Sequence, residues 1–186
     1  MTSEIIDVHD LYDGWVRLLR AKVRGADGQV VTREIEHHGE AACVLPYDAE
    51  RGSAMLVRQL RAPVLHAAGR DSLLEAIAGI VEDGEDPGAC ATREAMEEAG
   101  VTLQHLEPVT VAWTMPGIST ERMHFFLAHY RAGAALAPRS AEDQAVEVVE
   151  MALDDLAHGA DTGPLDDVKT LLLVQTLRLR QPGLFS

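Results

Sequence analysis

Between Gly79 and Val101 the chain reads GIVEDGEDPGACATREAMEEAGV, and no other stretch constrains its fold and chemistry as much. The run reads as a helix with marked ends. Asp86 is a good N-cap, and Pro87 follows at the first helical position, where its missing N–H costs nothing. Gly100 supplies the stop. Ala91, Ala95 and Ala99 repeat at four-residue spacing, so one face can approach its neighbour closely. Glu94 and Glu98 share another face, Glu97 lies beside them, and Glu85 sits just before the helix. Like charges at that spacing repel by roughly 0.2–0.5 kcal/mol per pair on an isolated helix. Clustered carboxylates suit a hard divalent cation that takes oxygen ligands and keeps room for waters and phosphates. A solvated acidic face, with Arg93 paired to Glu97, is the other reading of the same residues.

Composition narrows the partners. The chain has 186 residues, enough for one substantial core, and 16 Lys plus Arg against 30 Asp plus Glu give a net charge of -14. That charge speaks against a nucleic-acid partner, which wants a basic patch. No continuous apolar run is long enough to span a membrane. The start, MTSEIIDVHD, lacks a signal-peptide pattern. Cys43 and Cys90 do not make a disulfide framework and read as small buried hydrophobes in a reducing cytoplasm, which is the expected location.

Along the chain, residues 12–24 read as a strand, with Gln29 to Glu36 as its hairpin partner. The adjacent His37 and His38 have no third ligand at metal spacing and read as structural. Ala41 to Tyr47 and Ser53 to Leu60 are strands, and Arg58 and Arg61 fall at the end of the second. Pro63 to Asp71 reads as a loop. Leu73 to Ile77 reads as a strand with Glu75 inside it, either solvent-facing or functional. Pro108 to Trp113 and the aromatic run Arg122 to Tyr130 are strands around a turn on Pro116-Gly117. Gly133 to Ser140 reads as irregular, and Val146 to Met151 as a strand. A short helix from Leu153 stops at Gly159, and Asp166 caps a last helix from Asp167 to Arg180. Strands around a few helices give an α/β or α+β layered architecture.

The 79–101 stretch resembles the Nudix box of the Nudix hydrolases. Gly79, Glu85, Arg93, Glu94, Ala95, Glu97, Glu98, Gly100 and Val101 fill its fixed places. Nearly the whole chain resembles the branch that cleaves ADP-ribose, GDP-mannose and related nucleoside diphosphate sugars. The segments carrying this are Tyr12-Asp13-Gly14, VRQLRAPV at 57–64, LLEAIAG at 73–79, PGISTE with MHFFLA at 116–128, and the tail DDVKTLLLVQTLRLR. The tail and AACVLPYD resemble the GDP-mannose-hydrolysing members slightly more. The resemblance implies a Nudix fold: a mixed β-sheet sandwiched between helices, with an N-terminal antiparallel β subdomain. It divides the chain into 1–40, the subdomain, and 41–186, the hydrolase domain. It also implies a homodimer in which the subdomain swaps across a two-fold axis.

The implied chemistry is metal-dependent hydrolysis of the diphosphate to a nucleoside monophosphate and a sugar phosphate, with Mg2+ or Mn2+ as cofactor. By family analogy Glu94, Glu98 and the Ala78 carbonyl hold metal, Glu85 supports them, and Glu97 helps. Arg93 orients the carboxylates by bidentate pairing. Arg58, Arg61, Glu75 and Trp15 are the substrate-binding candidates. Members of this branch carry paired glutamates in the loop after the aromatic strand. Here that loop reads Ala141-Glu142-Asp143-Gln144-Ala145, with Gln144 at one acidic place. A glutamine is no base near neutral pH, so the base falls to Glu142 or to Glu121. Triphosphate hydrolysis and non-catalytic nucleotide sensing are the rival functions.

Overall fold

A computed structural model describes residues 2–130 and 146–185 of the chain. The expected irregular run at 133–140, and Glu142 and Gln144 with it, lie outside the described residues. The chain divides into two compact units, Met1–Glu40 with Val111–Met123, and Ala41–Thr110 with His124–Ser186.

In the first unit, β1 (Glu4–Asp13), β2 (Arg17–Arg24) and β3 (Val30–His37) form an antiparallel sheet in that order. The β2–β3 turn closes where the Gly25 N–H donates to the Gln29 carbonyl at 2.8 Å, and Gly28 takes the left-handed φ of 83° that such a turn demands. The end of β3 is tied to the segment around Pro116-Gly117. The Glu36 N–H donates to Ile118 O at 2.8 Å, the Thr120 N–H to Glu36 O at 2.9 Å, and the His38 N–H to Thr120 Oγ1 at 2.9 Å. The sequence pattern assigns no element before residue 12, and β1 forms there. Across the strand pair Arg17 pairs with Asp10, Lys22 with Asp7, and Arg24 with Glu4.

The second unit holds the helices and all of the mixed sheet except Glu40 at the start of β4, the end of β8 and the start of β9. β4 (Glu40–Asp48), β5 (Ser53–Gln59), β8 (Leu103–Trp113), β9 (Arg122–Tyr130) and β10 (Glu147–Ala152) run in the order β10-β5-β4-β9-β8. β6 (Leu73–Glu75) pairs with β5, and β7 (Ile77–Ile80) pairs with β4. The helices are α1 (Ala62–Ala68), α2 (Pro87–Ala99), α3 (Leu153–Thr162) and α4 (Val168–Arg180). This is the α/β Nudix-type fold expected, a mixed sheet sandwiched between helices with an N-terminal antiparallel β subdomain. One core joins Ala42, Val44, Val57, Ile77 and Phe126 of the sheet to Cys90, Ala91, Ala95 and Ala99 of α2. The small residues of α2 face inward, which is what their spacing requires. Cys43 and Cys90 are buried free thiols. Among the described residues no helix is long and apolar enough to cross a membrane.

Several boundaries differ from the sequence reading. The expected loop at 63–71 begins with α1: Pro63 is tolerated in its first turn, and Gly69 ends it at φ 67°. The single strand expected over 73–77 is broken at Ala76, because β6 and β7 pair with different neighbours. α3 passes through Gly159 and stops at Gly163, φ 99°. Asp167, not Asp166, caps α4, accepting from the Thr170 N–H at 3.0 Å, while Asp166 binds Arg70.

Candidate active site

The site is built around the start and the exposed side of α2. The Asp86 carboxylate accepts from the N–H groups of Gly88 and Ala89 at 2.9 and 3.1 Å, and Gly100 ends the helix at φ 66°. This fixes the rotational phase of Arg93, Glu94, Glu97 and Glu98. Gly79, on β7, lies directly beneath: a Cβ there would stand 1.9 Å from Glu94 Oε1. The glycine is therefore required by close approach, and α2 sits against β7 with the Glu94 carboxylate in the space a side chain would fill.

Arg93 is the hub. Its Nε donates to Glu85 Oε1 at 3.0 Å and its Nη2 to Glu85 Oε2 at 3.1 Å, a two-pronged grip. Its Nη1 donates to Glu94 Oε1 at 2.7 Å and to Glu97 Oε2 at 3.0 Å, and its Nη2 also reaches the Ile80 carbonyl at 3.2 Å. The pairing of Arg93 with Glu97 considered from sequence is real, but it is one strand of a wider web. The Glu82 N–H donates back to Glu85 Oε2 at 3.0 Å, closing the loop that carries Glu85.

The carboxylates are not equivalent. The bonds from Arg93 and then from the Glu82 backbone hold Glu85 down to about 2. Burial pushes Glu94 up, against the pull of Arg93. Burial first, and the charge of Glu94 second, push Glu98 up to about 7, although it accepts a bond from the Ala78 N–H. Arg93 itself is raised, first by Glu85. A half-buried carboxylate group carrying more negative charge than one guanidinium offsets is a fitting oxygen donor set for a divalent cation. Among the described residues, no three His, Cys, Asp or Glu side chains already converge as a metal-binding group. Of the residues expected to hold metal, Glu98 and Ala78 are in contact, since the Glu98 carboxylate accepts from the Ala78 N–H, and Glu94 lies over Gly79, the residue after Ala78. Mg2+ completes such shells with water and phosphate oxygens.

A second set of charges lies in the same unit. Arg61 Nε donates to Glu75 Oε2 at 2.7 Å, Lys169 Nζ to Glu75 Oε1 at 2.9 Å, and Lys169 Nζ to Asp167 Oδ1 at 2.7 Å. Thr170 Oγ1 accepts from the Ala76 N–H at 2.7 Å, at the break between β6 and β7. Glu75 is 2% exposed and so does not face solvent, one of the two positions its sequence left open. Lys169, Asp167 and Thr170 are absent from the sequence-based candidates. A signal was there: a lysine in the first turn of a helix opposes the helix dipole and needs a carboxylate partner elsewhere.

The remaining candidates are placed as follows. Arg58 pairs with Glu147 at 3.1 Å across β5 and β10. Trp15 belongs to the first unit and is 94% exposed. Glu121, also in the first unit, is bonded by the Thr114 hydroxyl, and its Oε1 lies 3.5 Å from His38 Nδ1. Glu142 lies outside the described residues.

Comparison with known proteins gives concordant results. Residues 37–172 match the family model described as NUDIX domain. A GDP-mannose pyrophosphatase of Cronobacter sakazakii is 39% identical over 158 residues, covering 83% of this chain and 82% of that protein. A GDP-mannose pyrophosphatase of Pectobacterium atrosepticum is 34% identical over 188 residues, covering 95% and 94%. Among solved structures, an ADP compounds hydrolase superposes with a TM-score of 0.81 at 15% identity, covering 98% of this chain and 96% of that one. At that identity the superposition speaks to the fold alone.

Proposed function

The chain belongs to the Nudix family and is a pyrophosphatase of that type, acting on nucleoside diphosphate-linked compounds; from that premise we propose that it hydrolyses nucleoside diphosphate sugars of the GDP-mannose or ADP-ribose kind. Water adds to one phosphorus, the bridging P–O bond breaks, and a nucleoside monophosphate and a sugar phosphate leave. The observation that carries this reading is the web in which Arg93 grips Glu85, Glu94 and Glu97 beside the half-buried Glu98. Resemblance to the GDP-mannose pyrophosphatases across most of the chain favours diphosphate sugars over nucleoside triphosphates.

Glu94, Glu98 and the Ala78 carbonyl would hold Mg2+, or Mn2+ in its place, with Glu85 and Glu97 supporting them. Bound there, the cation supplies neutralisation of the diphosphate charge. Arg93 keeps the carboxylates from splaying apart under their own repulsion. Arg61 and Arg58 are assigned to the phosphates and Trp15 to the nucleotide, with Glu75 behind Arg61. The proton of the attacking water is assigned to Glu142, with Glu121 as the other candidate. A binding-only site has little use for so many carboxylates, which repel a diphosphate, so catalysis is favoured over sensing.

We assign a homodimer as the working form, with 1–40 as a swapped subdomain and 41–186 as the hydrolase domain. Every residue of β1 is exposed, and Ile5, Val8, Leu11 and Tyr12 are among the exposed large hydrophobics of that unit. A monomeric mass by light scattering at micromolar concentration would count against it. Free buried thiols accord with a cytoplasmic location.

The test is a panel of nucleoside diphosphate sugars, triphosphates and dinucleotides in Mg2+, with wild type, Glu98→Gln and Glu142→Gln. Diphosphate sugars should lead, and Glu98→Gln should stay folded and lose turnover by orders of magnitude. Preferred turnover of triphosphates, or tight binding without product, would displace the proposal. Turnover surviving Glu142→Gln would move the base to Glu121.

A further inference from the structure

We propose that Glu75 is a positioning residue that aims the guanidinium of Arg61 at the substrate diphosphate, with Lys169 of α4 as the countercharge that holds Glu75 in place. The inference rests on the assignment of Arg61 to the phosphates. It gives Glu75 a different task from touching substrate.

Both oxygens of Glu75 are committed within the protein, Oε2 to Arg61 Nε at 2.7 Å and Oε1 to Lys169 Nζ at 2.9 Å. The side chain is 3% exposed, so a substrate group would have to displace one of these cations to reach it. Arg61 is different. Its side chain is 40% exposed, and the bond to Glu75 uses Nε, which leaves both terminal nitrogens to be presented elsewhere. A planar guanidinium held at Nε has its terminal edge fixed in direction, and that edge matches the oxygens of a phosphate. The backbone is fixed as well: Arg61 is the N-cap of α1, and its carbonyl accepts the Leu65 N–H at 2.9 Å. Glu75 ends β6, two residues before β7 begins, and Gly79 of β7 meets the Glu94 carboxylate, which puts the pair near the acidic face of α2.

The far side of Glu75 is anchored by α4. Lys169 is largely buried, which alone would push its ammonium down, yet Asp167 and Glu75 more than offset this and leave it above its ordinary value. Asp167 in turn caps α4, accepting from the Thr170 N–H at 3.0 Å and the Thr170 hydroxyl at 2.6 Å. Thr170 Oγ1 takes the Ala76 N–H, one residue beyond Glu75. Cations and carboxylates therefore alternate from Arg61 through Glu75 and Lys169 to Asp167. Each buried charge has a partner, as burial requires. The interior end of this chain is largely buried, and its half-exposed end is Arg61.

A purely structural ion-pair chain would stabilise the fold without steering Arg61, and a double-mutant cycle separates the two. Inorganic pyrophosphate, titrated calorimetrically in Mg2+, reads the guanidinium without relying on any sugar substrate. Arg61→Ala should weaken its binding tenfold or more, and Glu75→Gln at least fivefold. The double variant should bind within twofold of Arg61→Ala, because Glu75 acts through Arg61. With GDP-mannose, Glu75→Gln should raise KM while kcat stays within threefold. Arg61→Lys, a half-exposed change that keeps the charge, covers the case in which Glu75→Gln fails to fold: it should bind pyrophosphate within threefold of Arg61→Ala. Glu75→Gln binding within twofold of wild type, losses that multiply in the double variant, full affinity in Arg61→Lys, or no pyrophosphate binding by wild type would each overturn the proposal. Failure of wild type to turn over GDP-mannose would remove that substrate while leaving the pyrophosphate cycle to decide this one.

Discussion

Replacing Arg93 by methionine removes the cation that joins Glu85, Glu94 and Glu97 while keeping the length of an apolar stem. Arg93 is 27% exposed and donates to Glu85 at 3.0 and 3.1 Å, to Glu94 at 2.7 Å and to Glu97 at 3.0 Å. Breaking a buried ion pair from one side costs about 3–5 kcal/mol. Glu97 is half exposed, so water screens part of this web. We therefore take roughly 2–3 kcal/mol for the metal-free protein. At ~2–4 °C per kcal/mol for a chain of this size, the melting temperature in EDTA should fall by about 4–12 °C. The pH dependence has a definite sign. Glu85 is held below its ordinary 4.5, at about 2, first by Arg93, so the stability it gains is present above pH 4.5 and lost as pH falls toward 2. Arg93→Met forfeits that gain, so its deficit should be full at pH 7 and shrink below pH 4.5. Melting curves by circular dichroism in EDTA from pH 3.5 to 7.5 measure both quantities. A melting temperature within 2 °C of wild type at pH 7, or a deficit that grows on acidification, would refute the electrostatic account of this helix.

Gly79→Ala should leave the melting temperature within a few degrees but cut turnover at least tenfold, because the new Cβ occupies the place of the Glu94 carboxylate; steady-state assays beside a thermal melt check this. Thr170→Val should cost about 1–3 kcal/mol, since it leaves the buried Ala76 N–H without its acceptor, and denaturant titration reads the loss. Arg70→Ala should change stability by less than about 1 kcal/mol, because the Arg70–Asp166 pair is exposed, and the same titration measures it.

The helix at the centre of the site was legible in the sequence because its signals are local. Asp86, Pro87 and Gly100 mark its ends, and the alanine spacing marks its buried face. The carboxylate cluster was legible for the same reason. Features that depend on distant pairing were not. The break at Ala76 exists because β6 follows β5 while β7 follows β4, and no periodicity over so few residues encodes that. The chain from Arg61 to Asp167 joins residues about a hundred positions apart, so Lys169 was visible only as an oddly placed cation at a helix start. β1 was not assigned because all its side chains are exposed, so it shows no buried face to read, and its ion-pair partners lie on the neighbouring strand. Gly159 was read as a stop because a glycine in a helix and one after it look alike until the φ of Gly163 shows which ends it.

The most direct test of the central claim is product identity. GDP-mannose incubated with the protein and Mg2+ is followed by phosphorus-31 resonance. The account predicts that the diphosphate signals give way to equal amounts of GMP and mannose 1-phosphate, and that Glu98→Gln leaves them unchanged over the same period. Persistence of the diphosphate with wild-type protein, across ADP-ribose as well as GDP-mannose, would contradict it.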